Sequence, residues 1–518
     1  MGGAIMRCDL SVLMRGAVGI ATALFLNAQA SAATLLREAT IGEPPPLDVM
    51  LTTADVASVI GRHIFETLYA LDSAYTPRPM LAESDREEDG GKTIVIKLRE
   101  GVPFHNGKEM TARDVAASLT RWGNFGARGK LLMAAATSVE ATGKYEVTLK
   151  LSAPNGAWKN LIADVNGGLA IYPEEIAANA GNRPIEQKDY IGTGPYKFVE
   201  WRPNRYVEVE KFDGYKPVKE KGDGFAGARI AIFDKIRFIP VPDVGTRVSG
   251  VQAGDYDYAE MISGDLYESL SKDQSVQVQR TNASIFGLFF MNSKQGILKD
   301  NYKLRRAIQT ALDKSQALRV AFGSKDLWNA EGSIFPKGTP WYSAEGVSGY
   351  SPHDPKKAKE LAKEADYTGT PIRLLVSTNY QAHYDEASVF TRQLADAGIN
   401  VQMMVVDWAT LLKMRGQPEQ WDIFVTHHSF SPDPLLLTFL NASYPGWWDS
   451  PEISSLRAEL IKSTDPTARK STWDKIQSLI YDQVPVMKVG DAYTYDIASP
   501  KLKGLNPNGP VFWNVSTK

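Results

Sequence analysis

The sequence predicts an α/β protein of more than one domain, on three observations: its length, its balanced composition, and the way strand-like and helix-like apolar patterns interleave along it. The chain has 518 residues, several times the usual domain of about 150. Apolar residues make up 43% and charged residues 23%, enough for a sizeable core under a wetted surface, which excludes disorder and a multi-span membrane protein. Lys and Arg number 58 against 60 Asp and Glu, so there is no polycationic footprint for nucleic acid. Cys8 is the one cysteine, which leaves no intrachain disulfide and no cysteine-based metal cage.

Taken in order, the first element is an address. Arg7 and Arg15 precede an uncharged run from Gly16 to Leu26, and Ala30-Ser31-Ala32 follows as a small-x-small cleavage site, the pattern of a secretory signal peptide over residues 1–32. At about 11 residues the apolar run is too short for a hydrocarbon core that needs about 20. Cys8 precedes the run, whereas a lipoprotein cysteine would follow it. The expected product is a soluble, exported chain starting near Ala33. Half-buried strands are then read at Ile94-Ile96-Leu98 and at Tyr145 to Leu151, where apolar and polar residues alternate. Between them Thr111-Ala112-Arg113-Asp114 has the form of a helix start with an acid at the third position. Leu304, Ile308, Ala311 and Leu312 have helical spacing. Asp354-Pro355, Ser450-Pro451 and Asp465-Pro466 each pair a cap residue with Pro at the first helical position. Apolar strands are expected at Ile372 to Val376, Val401 to Val406 and Ile423 to Val425, with no internal repeat.

Catalytic signals are missing. Gly90-Gly91-Lys92-Thr93 ends like a phosphate loop, but Arg86 stands where that loop needs a glycine, so a tight hairpin turn is expected. No G-x-S-x-G elbow and no H-E-x-x-H helix occurs. Adjacent His427 and His428 project to opposite sides of a strand and cannot easily share one metal ion. No catalytic residue, no cofactor and no metal ligand is assigned, and an enzyme is not expected.

Several blocks resemble the family 5 solute-binding proteins of ABC importers, the peptide, nickel and opine receptor group, and are similar to the dipeptide- and oligopeptide-binding proteins. They are Leu81 to Ser84, Gly91 to Thr93, Lys97 to Gly107, Thr111 to Val115, Gly192-Thr193-Gly194-Pro195-Tyr196, Gly254 to Asp257, Leu304 to Ile308, Asp354 to Ala358, and Asp433-Pro434, in the family's order and over nearly the whole mature chain. The resemblance implies an α/β, two-lobed periplasmic-binding-protein fold (type II) with an extra subdomain in the first lobe. On it the chain divides into lobe I at 33–73, an extra subdomain at 74–183, lobe I again at 184–285, lobe II at 286–487, and a lobe I return at 488–518. The crossings are placed near Asn282 to Gly287 and Val486 to Asp491. The implied function is a monomeric periplasmic receptor that hands a small peptide or peptide-like solute to permease subunits in the inner membrane, served by cytoplasmic ATPase subunits. A receptor for a nickel-type metal chelate, completed by His427, His428 or His383, is the alternative.

The same resemblance supplies the candidate ligand contacts: Thr52, Thr53 and Asp55 in the first lobe, and Tyr380, His383, Trp408, Arg415, His427, His428, Phe430, Asp433, Lys488 and Asp491 beyond it. In peptide-binding relatives a loop of the second lobe carries an Asp four residues before a Pro, where it pairs with the peptide ammonium. Here Phe430 occupies that place in His427 to Pro434, so a ligand whose amine is substituted or absent is implied, unless Asp433 or Asp491 substitutes. Arg415 or Lys488 is the expected partner of a ligand carboxylate. Trp408, Trp447 and Trp448 are read as cleft or as core aromatics alike.

Overall fold

A computed structural model describes residues 34–52, 54–163 and 167–517 of the chain; the expected signal peptide lies outside the described residues. Two long strands organise the rest. Gln277–Met291 and Val486–Ala498 pair antiparallel, from Gln277 opposite Ala498 to Phe290 opposite Val486. The expected boundaries at 285/286 and 487/488 fall inside these two strands. On one flank the sheet continues through Tyr258–Ala259, Leu35–Thr40, Lys235–Pro240, Tyr206–Lys211 and Tyr196–Arg202. On the other it continues through Ile423–Ser429, Ile372–Ser377 and Val401–Val406.

Strand direction decides where a site can form. Leu35–Thr40, Lys235–Pro240 and Tyr258–Ala259 are mutually parallel and run with Gln277–Met291, whereas Ile372–Ser377, Val401–Val406 and Ile423–Ser429 run with Val486–Ala498. The first set joins the long pair at the level of Gln277 and Val278, and the second between Ile285 and Met291. The C-terminal edges of the two half-sheets therefore point at each other along the long pair. From Val278 to Ile285 is about 23 Å at roughly 3.3 Å per residue, and the pairing slips in that stretch between Arg280 and Ser284. An open α/β sheet binds ligands at the carboxyl ends of its strands, and here two such edges share one crevice.

The inner strands of the second half-sheet, Ile372–Ser377 and Ile423–Ser429, are covered on both faces, which is why they read as continuous apolar runs, whereas the edge strand Val401–Val406 stays partly exposed. Phe289, Leu374, Val376 and Val425 pack under the helices Tyr302–Ala311, Pro355–Glu364 and Gln381–Asp396. Their strand neighbours Leu288, Phe290, Leu375 and Phe424 turn to the other face, under Pro451–Lys462 and Pro466–Gln483, with Trp473 and Ile476 fully buried. Burial of each such side chain is worth roughly 1.5–3 kcal/mol. The three Pro-led helices begin where expected, with Asp354 accepting from Lys357 N at 2.8 Å, Ser450 from Ile453 N at 3.4 Å and Asp465 from Ala468 N at 2.6 Å.

Residues 82–151 add a separate four-stranded antiparallel sheet in the order Ala82–Glu88, Thr93–Leu98, Glu146–Leu151, Ala136–Gly143. Val95 and Thr148 are buried along with Ile94, Ile96, Val147 and Leu149, so its two inner strands are covered on both sides there rather than half-buried. Asp89, Gly90 and Gly91 form the hairpin turn between its first two strands, all with positive φ. Asp114 Oδ2 accepts from Thr111 N at 2.7 Å and from Thr111 Oγ1 at 2.8 Å, starting the helix Ala112–Phe125. The Gly192 to Tyr196 block is scaffold: a Cβ on Gly192 would lie 2.1 Å from Ile64 O, and one on Gly194 2.4 Å from His63 O. His105 locks this turn, with its N–H donating to Gly192 O at 2.9 Å.

Candidate functional site

The loops that leave the second half-sheet at its crevice edge follow Ser377, Val406 and Ser429. They bring together four of the expected contacts. The Tyr380 ring centre lies 4.9 Å from His383, 4.8 Å from Trp408 and 5.3 Å from His427, and His383 lies 5.1 Å from His427. Local signals position each. Asn379 accepts the Trp408 N–H at 2.8 Å and is itself held at Ser377 Oγ, 3.1 Å away. Asp407 caps the helix Trp408–Met414 through Thr410 N at 3.0 Å. Tyr380 is 40% exposed, Trp408 and His427 are half-buried, and His383 is buried. The result is an aromatic surface with one open ring at the crevice.

The two histidines of the adjacent pair part company, as alternation requires. His427 meets His383, with Nδ1 and Nε2 3.0 Å apart. His428 turns to the opposite face and stacks on Phe286 at 5.5 Å. Its Nδ1–H donates to Ser429 O at 2.6 Å and its Nε2 accepts from Thr438 N at 3.3 Å. Burial lowers all three imidazoles: His383 falls to about 3, with the neighbouring His427 adding to the effect, and His427 and His428 also lie below the usual value.

The charged candidates are placed differently from expectation. Asp433 is fully buried and takes a two-point ion pair from Arg469, at 2.8 and 3.0 Å, while Asn160 Nδ2 donates to its Oδ2 at 2.8 Å. Lys488 and Asp491 are buried against each other at 2.8 Å, and Lys488 Nζ also donates to Ser333 O at 2.6 Å. In a regular strand, positions three apart face opposite ways. Here Lys488 stands opposite Leu288 and Asp491 opposite Phe286, so an extra residue bulges out between them and turns both to one side. These three charges are therefore satisfied within the protein rather than presented to the crevice. Phe430, in the place of the ammonium-pairing acid, packs its ring 3.9 Å from Tyr75. Arg415 Nη1 donates to Tyr444 OH at 3.1 Å. Trp448 is a core residue, buried with its indole N–H on Gln483 Oε1, and the half-buried Trp447 stacks on Trp421 at the margin of that core.

At the opposing edge Thr52 Oγ1 accepts from Ala54 N at 3.1 Å, Asp55 opens the helix Asp55–Ile64, and Thr53 lies outside the described residues. Behind that edge sit three buried acids. Glu260 Oε1 accepts from Ile41 N at 2.9 Å; Asp496 accepts from Met261 N at 2.7 Å and from Tyr258 OH at 2.5 Å. Among the described residues neither oxygen of Glu38 has a hydrogen-bond partner. Burial raises all three, Asp496 to about 6 against the hydrogen bonds from Tyr258 and Met261; neighbouring acids add to burial at Glu38, which lies well above the ordinary range, and at Glu260, which rises to about 7.

Sequence reasoning missed Asn379, Tyr75 and Glu386. Glu386 follows His383 by three on one helix face, a spacing that exposes the pair to inspection. Its carboxylate is buried and pushed up to about 8 by burial. It presses on Gly287, where a Cβ would lie 2.6 Å from Oε2, which no sequence signal announces. Among the described residues no three His, Cys, Asp or Glu side chains gather to hold a metal ion, and no helix is long and apolar enough to cross a membrane.

Comparison with known proteins gives a consistent result. Residues 76–448 match the family model of bacterial extracellular solute-binding proteins, family 5 Middle. The probable peptide ABC transporter periplasmic-binding protein y4tO of Sinorhizobium fredii is 29% identical over 492 residues, covering 90% of this chain and 91% of that protein. The glutathione-binding protein GsiB of Pectobacterium atrosepticum is 27% identical over 491 residues, 89% of each. The fold is shared with AgaA from A. tumefaciens R10, solved with agropinic acid, at a TM-score of 0.73 and 23% identity over 93% of this chain and 98% of that one.

Proposed function

Because the chain belongs to the bacterial extracellular solute-binding proteins, family 5, we propose that it is the periplasmic receptor of an ABC importer, capturing a small peptide or peptide-like solute such as an opine or amino-acid conjugate. It binds without turning the solute over and delivers it, as a monomer, to permease subunits in the inner membrane that are driven by cytoplasmic ATPase subunits. A signal peptide over residues 1–32 exports it. The y4tO protein, GsiB and AgaA support this reading by what their names say of them: a peptide transporter component, a glutathione binder and a protein holding agropinic acid.

The observation that carries the proposal is the pair of C-terminal sheet edges facing each other across two continuous strands. A solute touching both edges favours closure through contacts that only the closed form makes, with the lobes at 33–73, 184–285 and 488–518 on one side and 286–487 on the other. Native mass spectrometry of the protein purified without denaturant tests it. A co-purifying mass in the peptide or opine range is expected, and adding that compound back at about 100 times its dissociation constant raises stability by roughly 2.7 kcal/mol. A co-purifying metal chelate, or chemical conversion of the bound compound by the protein, would overturn the reading.

A further inference from the structure

Of the two adjacent histidines at the crevice, only one has a nitrogen to spare. Both nitrogens of His428 are taken, one by Ser429 O and one by Thr438 N. His427 uses Nδ1 against His383 Nε2, 3.0 Å away, and its Nε2 makes no hydrogen bond among the described residues. His383 Nδ1 is buried and has no partner either.

A neutral imidazole carries one proton on one of two nitrogens, and burial keeps both of these rings neutral near pH 7. Two arrangements fit the contact. If His427 Nδ1–H donates, His383 accepts at Nε2 and must hold its own proton on Nδ1, a buried donor with nothing to receive it. If His383 Nε2–H donates, its Nδ1 is a bare acceptor and the proton of His427 sits on Nε2. Orphaned buried donors are the rarer fault, which favours the second arrangement.

We propose that His383 fixes the tautomer of His427, and that His427 Nε2–H, beside the open ring of Tyr380, is a donor to an acceptor oxygen of the solute, a carboxylate or an amide carbonyl. His383 is a positioning residue, buried beneath the surface; His427 is the contact. Asp407, an acid on the same edge, is engaged as the cap of the helix Trp408–Met414, accepting from Thr410 N and Oγ1 at 3.0 and 2.6 Å. This rests on the reading of the crevice as the solute site.

The test uses the exported full chain labelled with ¹⁵N-histidine. Long-range ¹H–¹⁵N spectra near neutral pH should show both His383 and His427 protonated on Nε2, and His427 averaging between its nitrogens in His383→Ala. Glutathione, agropinic acid and a tetrapeptide are then titrated by calorimetry and followed in the same spectra. At least one should bind, move the His427 Nε2 resonance, and bind His427→Phe about tenfold more weakly, the equivalent of about 1.4 kcal/mol. His383→Gln, whose carboxamide N–H can make the same donation, should bind within a few-fold of the parent. A proton on His427 Nδ1 overturns the tautomer lock before any compound is added. A probe that binds while His427 stays unmoved, or that binds His427→Phe unchanged, overturns the donor role and leaves the transport reading standing. Failure of all three to bind overturns the acceptor-bearing class of solute argued here, and co-purification then decides the transport reading separately.

Discussion

The two edges that face each other across the crevice are built from different chemistry. Behind the first edge stand Glu38, Glu260 and Asp496, buried acids of which the last two accept from the backbone N–H groups of Ile41 and Met261 and so hold the chain where it leaves the strands. The second presents Tyr380, Trp408 and His427, rings that are open or half-open, with the Trp408 backbone N–H held by Asn379 and the His427 ring held by His383. One edge uses its polar groups on its own loops; the other keeps a surface to offer. Chemistry that orders a loop must be buried, because a desolvated hydrogen bond holds its geometry, whereas chemistry that receives a solute must stay within reach of it.

The largest test of this contrast concerns Asp433, a buried charge in the loops of the aromatic edge. Asp433→Ala leaves the guanidinium of Arg469 desolvated and unpaired, and should cost about 3–5 kcal/mol in urea unfolding. A cost below about 1 kcal/mol would mean that the loops of this edge rest on exposed and replaceable contacts.

Next in size, the two edges should answer pH in opposite directions. The acids are held above their unfolded values of about 4, so the folded protein keeps protons that the unfolded chain has lost. Their stabilisation is complete below about pH 4 and disappears as pH rises through about 6 for Asp496 and about 7 for Glu260. His383 and His427 lie below the unfolded value of about 6.5, so their contribution is present above that pH and is lost on acidification, for His383 down to about 3. Unfolding free energies measured from pH 5 to 8 should therefore show Glu260→Gln gaining roughly 2–3 kcal/mol on the parent as pH rises, because each tenfold difference in proton affinity between the folded and unfolded chain is worth about 1.4 kcal/mol. His383→Gln should gain on the parent as pH falls. The same sign for both variants would erase the distinction. The smallest effect on the fold is expected at the open ring. Tyr380→Ala should lose only about 1 kcal/mol of stability while weakening capture of the co-purifying compound several-fold; unchanged capture would remove this surface from the site.

Much of this architecture was legible in the amino-acid order because its causes are local. Asp354, Ser450 and Asp465 each start a helix by accepting an N–H three residues on, an interaction that short-range spacing encodes completely. Short apolar runs marked the strands at 372, 401 and 423, and the period of two along a strand separated His427 from His428. The motif blocks in their order identified the family, and the resemblance named Tyr380, His383, Trp408 and His427 among its candidate contacts, though nothing in the sequence joined the four as one group.

Tertiary structure alone decided what each charge does. Asp433 was a ligand candidate until Arg469, thirty-six residues away, closed on it from another helix. Lys488 and Asp491 belong to opposite faces by the period of a strand, and only the bulge between them, in register against Phe286 and Leu288, joins them as an ion pair. Glu386 became a buried acid because Gly287, on a strand 99 positions earlier, leaves room for its carboxylate. The physical reason is common to all three. Capping and alternation are set by neighbours within a turn, so the order of residues contains them, whereas the free energy of a charge depends on how much water is removed and which partner replaces it, and both are fixed only when distant segments pack.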